Sequence, residues 1–196
     1  MMNEEEIKQI ILENTQLKQI LTIMESLQLQ DCWLCAGTIR NFIWNYLSGI
    51  NELDTTNDVD VVFFDPSISY EETLQIEKQL KRTYPEWNWE LKNEVYMHIH
   101  NPETNPYKSS YDAIEKFPET CTSIAVRLNE KQLELMAPHG TEDLVRFIVQ
   151  PTPYFKESAV RKQIYQERAR QKNWKRKWAN IQFIEIEELT NNEEKI

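Results

Sequence analysis

Two aspartates one residue apart, Asp58 and Asp60, open an apolar run that continues through Val61, Val62, Phe63 and Phe64. Side chains alternate along a strand, so Asp58 and Asp60 project from one face while Val59 and Val61 project from the other. Aspartate is a poor strand former, and two carboxylates on one face repel each other unless a cation neutralises them. Mg2+ suits such a pair, or Mn2+ with the same hard oxygen donors, because it completes its shell with substrate phosphates. Upstream, the apolar stretch Trp33-Leu34-Cys35 runs into Ala36-Gly37-Thr38 and then a helix-like segment. A phosphate can approach backbone amides at such a helix N-terminus, with Gly37 and Thr38 as donors. Arg40, two residues on, could fork onto a triphosphate. Each feature also has a plainer alternative: a solvated strand edge, a tight turn, a surface arginine.

Composition narrows the class. At 196 residues the chain is long enough for one domain with its own core. Three cysteines, no cysteine framework and no leader-like N-terminus lead to the expectation of a reducing, cytoplasmic setting. No apolar run approaches the ~20 residues of a membrane span, so no membrane partner is expected. The net charge of -10 is uneven: between Lys156 and Lys177 nine basic residues face two acidic ones, a net +7, which leaves -17 elsewhere. That asymmetry points either to a polyanionic partner or to an exposed helix face pairing with the acidic body.

Periodicity supplies the elements. A helical stripe over residues 3–28 is interrupted at Asn14-Thr15, which can restart it as an N-cap. A short strand at 32–35, a helix at 38–48, a strand at 58–64 and a helix at 70–82 follow. Residues 87–100 read as mostly strand, and 120–128 with 132–136 as a hairpin around Asn129-Glu130-Lys131. A helix at 141–148 precedes Pro151-Thr152-Pro153 and a basic C-terminal helical segment over 151–189, with 190–196 fraying. Trp174 and Trp178 share a helical face at i, i+4 and would dock that segment on the body. The expectation is an α/β (α+β) mixed sheet flanked by helices, as one domain over 1–196 with its core in 31–150.

The order small-Gly-Thr, helix, Asp-x-Asp resembles the DNA polymerase beta-type nucleotidyltransferase superfamily. Within it, Ala36-Gly37-Thr38-Ile39-Arg40-Asn41-Phe42-Ile43-Trp44 and Asn57-Asp58-Val59-Asp60-Val61-Val62-Phe63-Phe64-Asp65 are similar to the first two blocks of an uncharacterised nucleotidyltransferase-like family. Trp89-Glu90-Leu91-Lys92-Asn93, Met97-His98, Pro106-Tyr107-Lys108-Ser109, Pro118-Glu119-Thr120 and Ala137-Pro138-His139-Gly140-Thr141-Glu142-Asp143-Leu144 resemble its later blocks. Tyr96 stands where the family pattern has arginine, and Ala36 where the superfamily often has glycine.

The resemblance implies the nucleotidyltransferase fold and transfer of a nucleoside monophosphate from an NTP to an acceptor. It also implies a third metal-binding carboxylate on a neighbouring strand. Glu90 is the first choice, set between apolar neighbours, and Glu134 in the hairpin the second. Asn93, His98 and Glu134 are further pocket candidates. A zinc site from Cys32 and Cys35 with His98 and His100 is disfavoured, because strand residues three apart point to opposite faces. The acceptor is open: a small molecule or protein is favoured, and the basic segment keeps nucleic acid possible. The alternatives are a nucleotide-binding regulatory module without turnover and a nucleic-acid-interacting protein.

Overall fold

The computed structural model describes residues 2–185. Helix α1 (Glu4–Glu13) starts at a capping box between Asn3 and Glu6, and α2 (Thr15–Ser26) starts at Asn14, whose side chain accepts from the Leu17 amide. The expected restart at Asn14 is therefore present. Strand β1 (Trp33–Cys35) leads directly into α3 (Ala36–Leu47), so Gly37 and Thr38 form the first turn of that helix rather than a loop before it. Strand β2 (Asp58–Phe63) ends at Asp65-Pro66, where the Asp65 carboxylate accepts from the Ser67 amide at 2.8 Å and closes the turn. A Ser69/Glu72 capping box starts α4 (Tyr70–Thr83), which crosses over to β3 (Asn88–Asn93).

The strand expected to run to residue 100 stops at Asn93. Its side chain accepts from the Val95 amide and starts α5 (Glu94–Met97), which a 3-10 turn at His98–His100 continues. Helix α6 (Ser110–Glu115) follows. The hairpin is β4 (Ala125–Asn129) with β5 (Gln132–Met136); the residues expected to begin it form a 3-10 turn at Thr120–Thr122. The expected helix at 141–148 contracts to α7 (Glu142–Val145), because Phe147 takes a positive φ of 58° and the chain turns into β6 (Ile148–Val149). The basic segment is three helices rather than one: α8 (Pro153–Lys156), α9 (Ala159–Gln171) and α10 (Trp174–Lys177). Strand β7 (Gln182–Phe183) pairs with β6. The fraying expected at 190–196 lies outside the described residues.

The main sheet has the order β3-β2-β1-β4-β5, with β2 and β3 parallel and the other neighbours antiparallel. One face, carrying Leu34, Val59, Val61, Phe63, Trp89, Leu91 and Val126, is buried in the main core with Ile7, Leu17, Ile20, Phe42 and Ile43 of α1 to α3. The other face carries only a small apolar patch (Trp33, Cys35, Val62, Ala125 and Met136) under Ile114 of α6. Helices thus crowd one side of the sheet, and the opposite side at the β2–β3 end holds the polar residues. No described helix is long and apolar enough to cross a membrane.

The basic segment is fixed by its aromatics. Trp174 and Trp178 both meet Trp44 of α3 edge-on, at 5.7 and 5.1 Å between ring centroids, and Trp178 Nε1 donates to Asn45. Each ring buries on the order of 150–250 Å2, or roughly 4–6 kcal/mol gross at about 25 cal/mol per Å2, more than an exposed charged helix could gain from solvent contact alone. The expected docking role of these two tryptophans is what the structure places there.

Candidate active site

The parallel register of β2 and β3 sets Asp58 beside Asn88, Asp60 beside Glu90 and Val62 beside Lys92, all on the open face. The Asn88 amide donates to Asp58. Lys92 Nζ lies 3.0 Å from Glu90. Burial, then the neighbouring Glu90 carboxylate, pushes the Asp60 carboxyl up from an ordinary 3.8 to about 6. Glu90 moves the other way: burial opposes its charge, but the Lys92 ammonium outweighs it and holds the pKa below the usual range. Two adjoining carboxylates share one lysine as counter-ion, a charge deficit that a divalent cation would remedy.

The first turn of α3 is fastened to β2 between the two aspartates. Thr38 Oγ1 donates to the Asp58 carbonyl at 3.1 Å and accepts the Asp60 N–H at 2.8 Å. Thr38 is 3% exposed and its hydroxyl is a bracket for the strand, a role not expected from sequence. Gly37 faces the Asp60 carboxylate directly: a Cβ built there would lie 2.9 Å from Asp60 Oδ2. The glycine leaves room for the acid.

Arg40 is not a surface residue. It is 4% exposed, stacked over Trp174 at 4.3 Å and Trp44 at 5.1 Å. Its guanidinium donates to Thr122 Oγ1 at 2.7 Å and to Asn41 Oδ1 at 2.9 Å. Burial lowers its pKa, and among the described residues it forms no ion pair. A buried guanidinium without a carboxylate partner is an incomplete arrangement that an anion completes.

The same residues border a cavity of about 670 Å3. Asp54, Asp58, Asp60, Glu90 and Lys92 line it together with Arg40, Arg168, Lys172 and Lys177. Glu119 holds Arg168 at 2.5 Å, and Asp54 holds Lys177 at 2.5 Å. Lys172 makes no ion pair among the described residues; partial burial, then Arg168 and Arg40, lowers its pKa. Three of the nine basic residues of the segment, Arg168, Lys172 and Lys177, thus border the cavity that the carboxylates also line.

Three sequence candidates fall elsewhere. Asn93 is 1% exposed and spends its side chain on the Asp65 and Ile68 carbonyls and the Asp65 and Val95 amides. His98 lies in the 3-10 turn, edge-on to Tyr107 at 6.3 Å, and does not line the cavity. Glu134 shares the open face but sits on the far edge strand, three strand spacings of about 4.8 Å, or roughly 14 Å, from β2. There it accepts from Arg127 and Asn129, each at 2.6 Å, whereas Glu90 stands in register beside Asp60. Lys92, Asn88, Lys172 and Arg168 were not singled out from sequence. The alternation Asn88, Glu90, Lys92, Glu94 was the legible signal for the β3 side of the site; nothing local marked the C-terminal pair.

A pH signature follows from two acids. Glu94, 3% exposed, is pushed by burial from 4.5 to about 7, as Asp60 is pushed to about 6. The folded state therefore keeps protons that the unfolded chain has released, and this contribution to stability is lost as pH rises through the folded values. Without metal, the melting temperature should fall between about pH 5.5 and 7.5, and millimolar Mg2+ should raise it at the upper end far more than at the lower. A Mg2+ effect equal at both ends would contradict this assignment.

The family model described as Nucleotidyltransferase matches residues 22–183. An NMR structure described as revealing a CCA-adding enzyme head domain is 49% identical, with a TM-score of 0.88 over 94% of this chain and 97% of that one. A CCA-adding enzyme in complex with ATP shares the fold at 13% identity, with a TM-score of 0.52 over 91% of this chain and 42% of that one. No curated protein matches the chain.

Proposed function

We propose that this chain, which belongs to the nucleotidyltransferase family, moves a nucleoside monophosphate from an NTP to an acceptor hydroxyl and releases pyrophosphate. One observation carries the site assignment: four carboxylates share one cavity with Arg40 and Lys172, which make no ion pair among the described residues. A triphosphate with a divalent cation has the matching charge pattern. Asp58, Asp60 and Glu90 offer only hard oxygen donors, which fits Mg2+ or Mn2+, although no three-residue His/Cys/Asp/Glu group among the described residues is already arranged for a metal. Lys92 is the counter-ion of Glu90 at 3.0 Å. When bound, the ion would lower the pKa of the attacking hydroxyl and neutralise phosphate charge.

The chain's own residues then divide the work. Thr38 fixes the backbone at Asp58 and Asp60, and Asn88 holds the Asp58 carboxylate, so the strand that presents both acids is preorganised. Arg40 and Lys172, with Arg168, bind the β- and γ-phosphates and stabilise the departing pyrophosphate. The acceptor oxygen attacks the α-phosphorus, the bond to the bridging oxygen breaks, pyrophosphate leaves with that electron pair, and the hydroxyl proton passes to solvent. Arg168, Lys172 and Lys177 give part of the positive charge of the C-terminal segment a role at this cavity. The metal-bound ATP and CTP states of this chain are tested by pyrophosphate release. Lys172→Gln should raise KM for the NTP about tenfold, as expected for one charge-assisted contact, with a smaller change in kcat. An unchanged KM would remove Lys172 from the phosphate site.

A further inference from the structure

Glu119 is 1% exposed and stands at the start of the 3-10 turn Thr120–Thr122. Its Oε1 accepts from Arg168 Nε at 2.5 Å, and Oε2 has no hydrogen-bond partner among the described residues. Burying a carboxylate with one oxygen unsatisfied is costly, and a single ion pair returns little of that cost. Stability alone therefore does not account for an acid at this position.

The backbone holds the turn without help from this side chain. The Glu119 carbonyl accepts from the Thr122 and Ser123 amides at 3.0 and 3.1 Å, and the Thr120 amide donates to the Gln150 carbonyl at 3.0 Å. The two ends of the turn then each take one guanidinium: Thr122 Oγ1 accepts from Arg40 at 2.7 Å, and Glu119 accepts from Arg168. Pro118, Thr122, Arg40 and Arg168 border the main cavity, but Glu119 does not. It meets the contents of the cavity through Arg168.

A carboxylate on Nε takes the side of a guanidinium and leaves Nη1 and Nη2 for a second, bidentate partner such as a phosphate. Among the described residues no hydrogen bond or ion pair occupies those two nitrogens of Arg168. With Nε held in advance, less rotamer entropy is lost when the fork is ordered on a ligand. We propose that Glu119 is a positioning residue for the nucleotide: it holds Arg168 through Nε so that Nη1 and Nη2 are set as a fork for the β- and γ-phosphates. The inference rests on the nucleotidyl transfer reading of the main cavity and names what orients the fork. Glu119 also supplies negative charge beside the other cations: burial lowers the pKa of Arg40 and Lys172, and Glu119 opposes that lowering in both.

The test is calorimetric titration of the full chain with Mg2+ and whichever of ATP and CTP wild type binds more tightly, and with the matching monophosphate. NMR of nitrogen-labelled arginine side chains accompanies it. Glu119→Gln should weaken the triphosphate about tenfold, the size of one charge-assisted contact, and the monophosphate by less than about twofold. In wild type the triphosphate should shift the Arg168 Nη resonances, and in Glu119→Gln that shift should be lost with the melting temperature near wild type. Arg168→Lys keeps the charge opposite Glu119 without the fork, so it should weaken the triphosphate equally, and it carries the test if Glu119→Gln does not fold. The proposal is overturned if either variant binds the triphosphate like wild type, if triphosphate and monophosphate weaken equally, or if bound triphosphate leaves the Arg168 Nη resonances unmoved. Failure of wild type to bind either triphosphate would overturn the nucleotide reading instead, and this inference with it.

Discussion

Asp60→Asn lowers nucleotidyl transfer by more than about a hundredfold and leaves the melting temperature at neutral pH unchanged or raised. The floor on activity comes from outer partners of metal ligands, whose loss already costs about 10- to 100-fold; a direct carboxylate donor costs more. The stability sign comes from charge. Burial and Glu90 push the Asp60 carboxyl up, so its ionised form is disfavoured in the folded protein, and an uncharged amide of the same shape removes that repulsion. The backbone N–H of residue 60 still donates to Thr38 Oγ1, so the bracket between α3 and β2 survives. Activity assayed beside thermal denaturation checks both halves. Loss of activity with a large fall in melting temperature would mark Asp60 as structural.

Gly37→Ala should separate function from folding at a second point. The new Cβ would lie 2.9 Å from Asp60 Oδ2, a separation that side-chain atoms do not sustain, so the carboxylate is displaced. Gly37 lies in the first turn of α3 without a positive φ, and alanine there gains up to about 1 kcal/mol of helix propensity. The expected result is a loss of activity of at least about tenfold in a protein that melts no lower than wild type. Gly37→Val should lose more. Full activity in Gly37→Ala would show that Asp60 has freedom the site does not need to restrict.

What the sequence disclosed follows the range of the forces involved. Alternation along β2 is local, so the shared face of Asp58 and Asp60 was legible. Capping is local too, and Asn14 restarted its helix as expected. Asn93 is the counter-case: an asparagine before Glu94 was a readable N-cap, but the apolar residues after it suggested that the strand continued. Glu90 was ranked above Glu134 by its neighbouring residues alone, and the parallel register that sets it beside Asp60 depends on the α4 crossover. Thr38 and Gly37 were expected in a turn before the helix, and the structure sets them inside the first turn of α3, with Thr38 Oγ1 on the β2 backbone and Gly37 against Asp60. The basic segment was recognisable by charge and by Trp174 and Trp178. That Arg168, Lys172 and Lys177 border one cavity with the carboxylates goes with those tryptophans packing on Trp44, a contact across most of the chain.

The central claim is that the carboxylate cluster and the cations bordering the same cavity together bind a metal–triphosphate. Calorimetric titration of ATP and CTP, with Mg2+ and with chelator, against wild type and Asp60→Asn tests it most directly. The account predicts saturable binding of at least one NTP with Mg2+, much weaker binding with chelator, and loss of the Mg2+ dependence in Asp60→Asn. Binding that is equally tight with and without Mg2+, or unchanged in Asp60→Asn, would contradict it.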